Sequence, residues 1–308
     1  MRHFDDILQQ ITVRQKGNEI MRVLTKTYRW LRRRDVVKRD FCTAKHRLLS
    51  SMELTREEKV LLGKISLQIH SADSMYYLDN DAFHYLSVGL SATRCIREAL
   101  CRAPAQYTVG SILDFPCGYG RVLRFLRAMF PNAEITAAEI DRTALDFCRR
   151  HFAVTTFLSK TSLSDLTLPQ RFDLIWCGSL FTHIDEETSG NLLQFFHDHL
   201  SDQGVCIFST HGQRSIDWIQ SKKVTYGLKE NAQQEVIRGF QEQGYGYADY
   251  PNESGWGIST VSHQRIVELA KGVGSWYETL FLEHGWDNHQ DVYAFAMQLP
   301  NGGLEPTP

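Results

Sequence analysis

The chain has 308 residues, 43% of them apolar, with 34 Lys and Arg against 36 Asp and Glu for a formal net charge of −2. That is enough for a full core in one large α/β unit with additions, while no apolar run approaches the roughly 18 residues needed to cross a bilayer. Charges stand near the N-terminus where a signal peptide has its apolar core, and the seven cysteines form no CxxC pair and lie at no ligand spacing from the histidines. The expectation is therefore a soluble cytoplasmic protein with free thiols and no metal site.

Residues 1–72 read as a helical extension. The first fifty residues hold 13 Lys and Arg against 5 Asp and Glu, including Arg32, Arg33 and Arg34. The plain reading is the solvated face of amphipathic helices from Phe4 to Leu49. The sharper one is docking to an anionic partner such as nucleic acid, a charged glycan or a membrane surface. Nucleic acid is disfavoured, because RNA modification calls for basic residues interleaved with aromatics around the catalytic mouth, whereas this cluster lies far upstream of the glycine turn described next. Thr55 and Glu58 have capping-box spacing, a turn follows at residues 71–74, and Ala82 to Ala103 is apolar at helical spacing. The chain then alternates: strand 110–115, helix 119–130, strand 134–139, helix 142–151, a short strand 153–158, strand 172–177, helix 187–200 and strand 204–210. A turn at residues 201–203 precedes the last of these. Such alternation predicts a parallel sheet with helices on both faces.

Between the first strand and its helix lies Asp114-Phe-Pro-Cys-Gly-Tyr-Gly120. Gly118 and Gly120 let the backbone approach a ligand without a Cβ, and a helix opening near Arg121 aims free N–H groups at it. Glu139 ends the next strand about twenty residues on, where an acid accepts both hydroxyls of a ribose. Glycine turn and acid together predict a nucleoside cofactor.

Residues 211–262 form a long insertion, with a helix from about Lys229 to Gln243 and then a stretch rich in aromatics and glycine from Gly244 to Ile258. That stretch suits a surface hairpin or a mobile lid. A helix at 263–271 and a strand at 275–283 follow, with a turn at residues 285–288 and a returning strand. Strands so closely linked are antiparallel. The tail 301–308 reads as disordered.

The Asp114–Gly120 turn resembles the first motif of class I S-adenosylmethionine-dependent methyltransferases, and residues 171–184 are similar to that family's fourth strand and following loop. The resemblance implies an α/β, Rossmann-like seven-stranded sheet with its last strand antiparallel, spanning residues 73–300. It implies S-adenosylmethionine as cofactor. Asp114 would hold the methionyl amine, with Pro116, Cys117, Gly118, Gly120, Glu139, Ile140, Cys177 and Gly178 around the cofactor. Many members carry Gly where Pro116 stands. The usual adenine-contacting acid is missing from its place at Ser159 and Lys160, and Asp165 is the nearest acid. Tyr76, Tyr77 and Tyr85 would approach the cofactor's mouth, and Phe181, Tyr247, Trp256 and Trp286 would face the substrate.

Methyl transfer is an in-line displacement that needs the nucleophile held about 3 Å from the methyl carbon with water excluded. A hydroxyl acceptor also benefits from a general base such as neutral histidine. The predicted topology brings His183, His211, His284 and His289 to the carboxyl edge of the sheet, favouring a hydroxyl. His289, bonded to Asp287 or Asp291, is the first candidate base, followed by His211 and His183. No set of carboxylates suggests a divalent metal. Similarity to bacterial methyltransferases with a like first motif and a like Trp286–Asp291 ending implies a small-molecule, sugar or glycolipid acceptor. Methylation of RNA or protein, and a cofactor-binding scaffold without turnover, are the alternatives.

Overall fold

The computed structural model describes residues 39–51, 53–77, 81–103, 108–162, 166–168 and 170–297. The basic cluster at Arg32–Arg34, Asp165, the side chain of Tyr77 and the 301–308 tail lie outside them.

A helical segment over residues 39–49 precedes α1 (Arg56–Lys64). The Thr55–Glu58 capping box forms: Thr55 N donates to Glu58 Oε2 at 2.8 Å and Glu58 N to Thr55 Oγ1 at 3.2 Å. After the short α2 (Ser74–Tyr77), Asp81 caps α3 (Ala82–Cys101) by accepting from Phe83 N and His84 N. This helix is apolar on two faces. Val88, Ala92 and Ile96 pack on the sheet, whereas Leu86 and Leu90 join Phe41, Leu62 and Phe125 in a separate N-terminal layer. Tyr76 and Tyr85 are buried in that layer instead of lining a mouth, because the Tyr85 hydroxyl donates to the buried Asp73 at 2.7 Å and accepts from Arg124 at 3.2 Å.

The main sheet has seven strands: β1 (Ser111–Asp114), β2 (Glu134–Glu139), β3 (Thr155–Leu158), β4 (Phe172–Cys177), β5 (Leu200–Thr210), β8 (Trp276–Trp286) and β9 (Gln290–Met297). Their spatial order is β3-β2-β1-β4-β5-β9-β8. Strands β1 to β5 are parallel, and β9 enters between β5 and β8 antiparallel to both. This is the Rossmann-like sheet that the alternation and the resemblance imply. Helices α3, α4 (Leu123–Met129) and α5 (Arg142–Phe152) cover one face, and α6 (Glu186–His199) and α9 (His263–Val273) cover the other.

Two local readings differ from expectation. The 201–203 turn is absorbed into β5, whose ladder with β4 slips between Phe172 and Leu174, so the extra residues bulge while the strand continues. Helix α4 begins at Leu123, past the turn over residues 118–122, and its N-cap Val122 supplies no side-chain bond.

The insertion contributes α7 (Gln213–Gln220), α8 (Glu230–Gln243) and an antiparallel hairpin of β6 (Tyr245–Asp249) and β7 (Gly257–Val261). Ile216, Ile219, Leu228, Val236, Ile237, Ala248 and Ile258 give it a small core of its own. Strand β7 is laced to the loop after β4: Gly257 N donates to His183 O at 2.9 Å, Ser259 N to Thr182 O at 3.0 Å and Ser259 Oγ to Phe181 O at 2.5 Å. Val261 N donates to His211 O at 2.8 Å.

Candidate active site

Strand β1 delivers Asp114 to the carboxyl edge of the sheet. The turn after it is tied down on both sides, by Phe115 N to Trp176 O at 3.0 Å and Cys117 N to Ala138 O at 2.9 Å, and its Phe115–Pro116 peptide is cis. Asp114 is 1% exposed, and its Oδ2 has no hydrogen-bond partner among the described residues. Burial first, and the Glu139 charge second, push its carboxyl well above the usual range. A buried, unpartnered carboxylate calls for a cationic donor.

Glu139 is fixed by the backbone, accepting from Gly118 N at 2.9 Å through Oε2 and from Ile140 N at 2.7 Å and Asp141 N at 3.3 Å through Oε1. A carboxylate offers about four lone-pair sites, so Oε2 keeps capacity for a hydroxyl. The two glycines do different work. At Gly118 (φ +50°) an added Cβ would meet nothing within 4 Å, so the approach is open; at Gly120 (φ +81°) it would lie 2.4 Å from the Phe152 ring, so close helix packing excludes it. Ile140 is 55% exposed beside Glu139, an apolar surface for a flat ring. Tyr119, between the glycines, donates to Asp141 at 2.8 Å, and its ring stacks on His70 at 4.8 Å. Cys177 is buried, and the place of a Gly178 Cβ is taken by the Trp286 ring at 2.7 Å. Ammonium, hydroxyl and flat ring are thus the features these residues fit.

From Gly178 the edge continues through a hydroxyl and amide network. Ser179 N donates to Ser209 Oγ at 2.9 Å, and Ser209 Oγ donates to Gln290 Oε1 at 2.7 Å. Next to Gln290, His289 stacks on Trp218 at 4.5 Å and lies 4.9 Å from the His211 ring, centre to centre. The Tyr226 hydroxyl is 2.7 Å from His289 Nε2 and donates to Ser215 Oγ at 3.0 Å. The imidazole tautomer sets which partner donates in the Tyr226–His289 contact, and Ser215 Oγ lies 3.4 Å from the same Nε2. Burial holds the Tyr226 hydroxyl up at about 12 and His289 down at about 4, the latter also lowered by the Arg214, His284 and Lys223 charges. His211 is 4% exposed and kept neutral mainly by burial; its Nδ1 has no partner among the described residues, while the Ser259 backbone bonds the ring.

His183 stands one step away. Its Nδ1 lies 2.9 Å from Gly257 O, and its ring stacks on the part-exposed Trp256 at 4.7 Å. Phe181 is 1% exposed and packs on Phe208, so its ring belongs to the core. Trp286 is likewise buried, with Nε1 donating to Val88 O at 2.9 Å. Tyr247 is half-buried and donates to Asp249. The acids expected beside His289 are engaged elsewhere: Asp291 accepts from His284 N at 2.8 Å, and Asp287 lies 3.5 Å from His84 Nε2.

Tyr226, Ser215, Trp218, Ser179, Ser209 and Gln290 were not foreseen. Ser215 and Trp218 at i and i+3 put both on one face of α7, and that spacing could have found them. Among the described residues no group of three or more His, Cys, Asp or Glu could hold a metal, and no helix is long and apolar enough to cross a membrane.

Residues 112–204 match the model of the methyltransferase domain family. The chain is 30% identical over 134 residues to a malonyl-[acyl-carrier protein] O-methyltransferase of Bacillus cytotoxicus, covering 43% of this chain and 46% of that protein. It is 26% identical over 156 residues to the enzyme of the same name from Bacillus anthracis, covering 50% and 57%. The match thus spans about half the length of these relatives. Among solved structures, an S-adenosylmethionine-dependent methyltransferase from Clostridium acetobutylicum ATCC 824 is similar over 73% of this chain and 95% of that one, at 13% identity and a TM-score of 0.48. DesVI of Streptomyces venezuelae is similar over 75% and 100%, at 16% identity and a TM-score of 0.49.

Proposed function

Because residues 112–204 match the methyltransferase domain family, we propose that the chain is a class I S-adenosylmethionine-dependent methyltransferase that methylates a hydroxyl oxygen of a small molecule or sugar, with His289 as the general base. The observation that carries this reading is the state of His289: kept neutral at physiological pH by burial, stacked on Trp218 and held at Nε2 by the Tyr226 hydroxyl. When bound, S-adenosylmethionine supplies an electrophilic methyl group on a sulfonium. Asp114 would bind its amine, Glu139 a ribose hydroxyl and Ile140 its adenine face. Gly118 gives backbone room for the approach. His289 accepts the acceptor's proton, His211 and Trp218 wall the imidazole and keep water away, and Tyr226 holds the ring in place. A base near the acceptor contributes about 10²–10⁴ in rate.

A second reading is favoured by the named activity of the relatives, in which the acceptor is a carboxylate that attacks unaided. One product analysis separates the two, since methylated hydroxyls are alkali-stable ethers and methylated carboxylates are alkali-labile esters. The first test is calorimetric titration with S-adenosylmethionine and S-adenosylhomocysteine, with NAD as control. Micromolar binding of the first two alone supports the reading, and no binding would favour a scaffold without turnover. Radiolabelled methyl transfer to sugar and small hydroxylated acceptors follows, with His289→Ala expected to abolish turnover and leave cofactor affinity nearly intact.

A further inference from the structure

The acceptor side carries two cations that the chemistry above does not use. Arg214 lies on α7 with Ser215 and Trp218. Its Nη1 donates to the backbone oxygen of Asn288 and, at 2.6 Å, to Asn288 Oδ1. The guanidinium has five N–H donors in a planar fork; Nε and Nη2 make no hydrogen bond among the described residues. Lys223 Nζ stands 4.1 Å from the centre of the Trp218 ring, whose neighbour at 4.5 Å is His289. Ammonium, indole and imidazole are therefore in file, and the backbone of Lys223 is fixed by its N–H to Trp218 O at 2.9 Å. Neither Arg214 nor Lys223 enters a salt bridge among the described residues. The nearest acid on the helix, Asp217, is exposed and accepts from Gln213 Nε2 at 2.8 Å.

Two cations converging on the base make a positive potential where the acceptor must sit, and an arginine fork with free donors matches the oxygens of a planar or tetrahedral anion. We propose that the acceptor carries a fixed negative charge, a carboxylate or a phosphate, apart from the oxygen that is methylated, and that Arg214 and Lys223 receive it. This deepens the methyltransferase reading and rests on it. Arg214 orients the anion through its fork, while Lys223 adds charge from across Trp218. A neutral sugar gains nothing from either group.

The test uses the full chain saturated with S-adenosylhomocysteine, titrated with inorganic phosphate and separately with acetate while Trp fluorescence is followed. Saturable binding of either anion is expected, weakened at least tenfold in the pair Arg214→Gln and Lys223→Gln, with S-adenosylhomocysteine affinity unchanged. Stronger binding of phosphate assigns a phosphorylated acceptor, and stronger binding of acetate a carboxylated one. Lys223→Gln alone, at an exposed position, gives a partial loss and keeps the test should the pair disturb folding. Anion binding that does not saturate, or that the substitutions leave unchanged, overturns the proposal while intact S-adenosylhomocysteine binding leaves the methyltransferase reading standing. Failure of S-adenosylhomocysteine itself to bind would instead strike that reading.

Discussion

Asp114 and His289 are both buried against their charged forms, with opposite pH signatures. The Asp114 carboxyl is raised in the folded state, so its protonated form stabilises the fold below the unfolded value near 3.9, and that stability is lost as pH rises through the folded value. At neutral pH the ionised group is a cost that a bound ammonium offsets. Asp114→Asn is therefore expected to raise the melting temperature of the ligand-free protein while weakening S-adenosylhomocysteine by about 2 kcal/mol; thermal melts with and without ligand check both, and an unchanged affinity would remove the amine assignment. For His289 the folded value falls to about 4, below the ordinary value of about 6.5. Its contribution to stability is present above that ordinary value and is lost as pH drops towards about 4. The acid limb of kcat/KM should likewise lie near pH 4, and a limb near 6.5 would place the base on another group.

At the scale of the element, the strand–turn–helix around Asp114 and the acid ending β2 were legible because each rests on local chemistry: an apolar run, two turn glycines and a carboxylate at fixed spacing. The antiparallel run of β9 was legible from the short turn before it, but its place between β5 and β8 depends on contacts across the sheet that the turn does not set. What escaped depended on contacts across the chain. Gly120 was read as ligand clearance, whereas its neighbour is the Phe152 ring at the end of α5. Trp286 and Phe181 were read as substrate contacts from their place in edge loops, but sequence alone does not tell which way a loop aromatic points. Helix α7 has eight residues and no side-chain N-cap bond, too short for periodicity to reveal, and with it went Ser215, Trp218 and the partner of Tyr226. Gly120→Ala should destabilise the fold by about 1–3 kcal/mol, from overpacking added to the positive φ, as read by urea unfolding. Gly118→Ala should instead act mainly on cofactor affinity.

Across the whole molecule, the N-terminal layer and the sheet are joined at Arg124. This residue is 1% exposed and donates to Gly120 O at 2.9 Å, to the carbonyls of Ser66 and Gln68 at 3.0 Å each, and to the Tyr85 hydroxyl. Its charge also opposes the upward push of burial on Asp73. Arg124→Met leaves that acid and those carbonyls without their donor, so a loss of about 3–5 kcal/mol is expected, visible as an earlier unfolding midpoint; a loss under about 1 kcal/mol would show that the layers hold together without it. The opposite flank is joined differently, by the backbone of β7 to residues 181–183. Peptide amides locked in that way exchange with solvent together, so deuterium uptake at Gly257, Ser259 and Val261 should be slow and should slow further as one unit when S-adenosylhomocysteine is added. Traffic through the site then has one stationary bank.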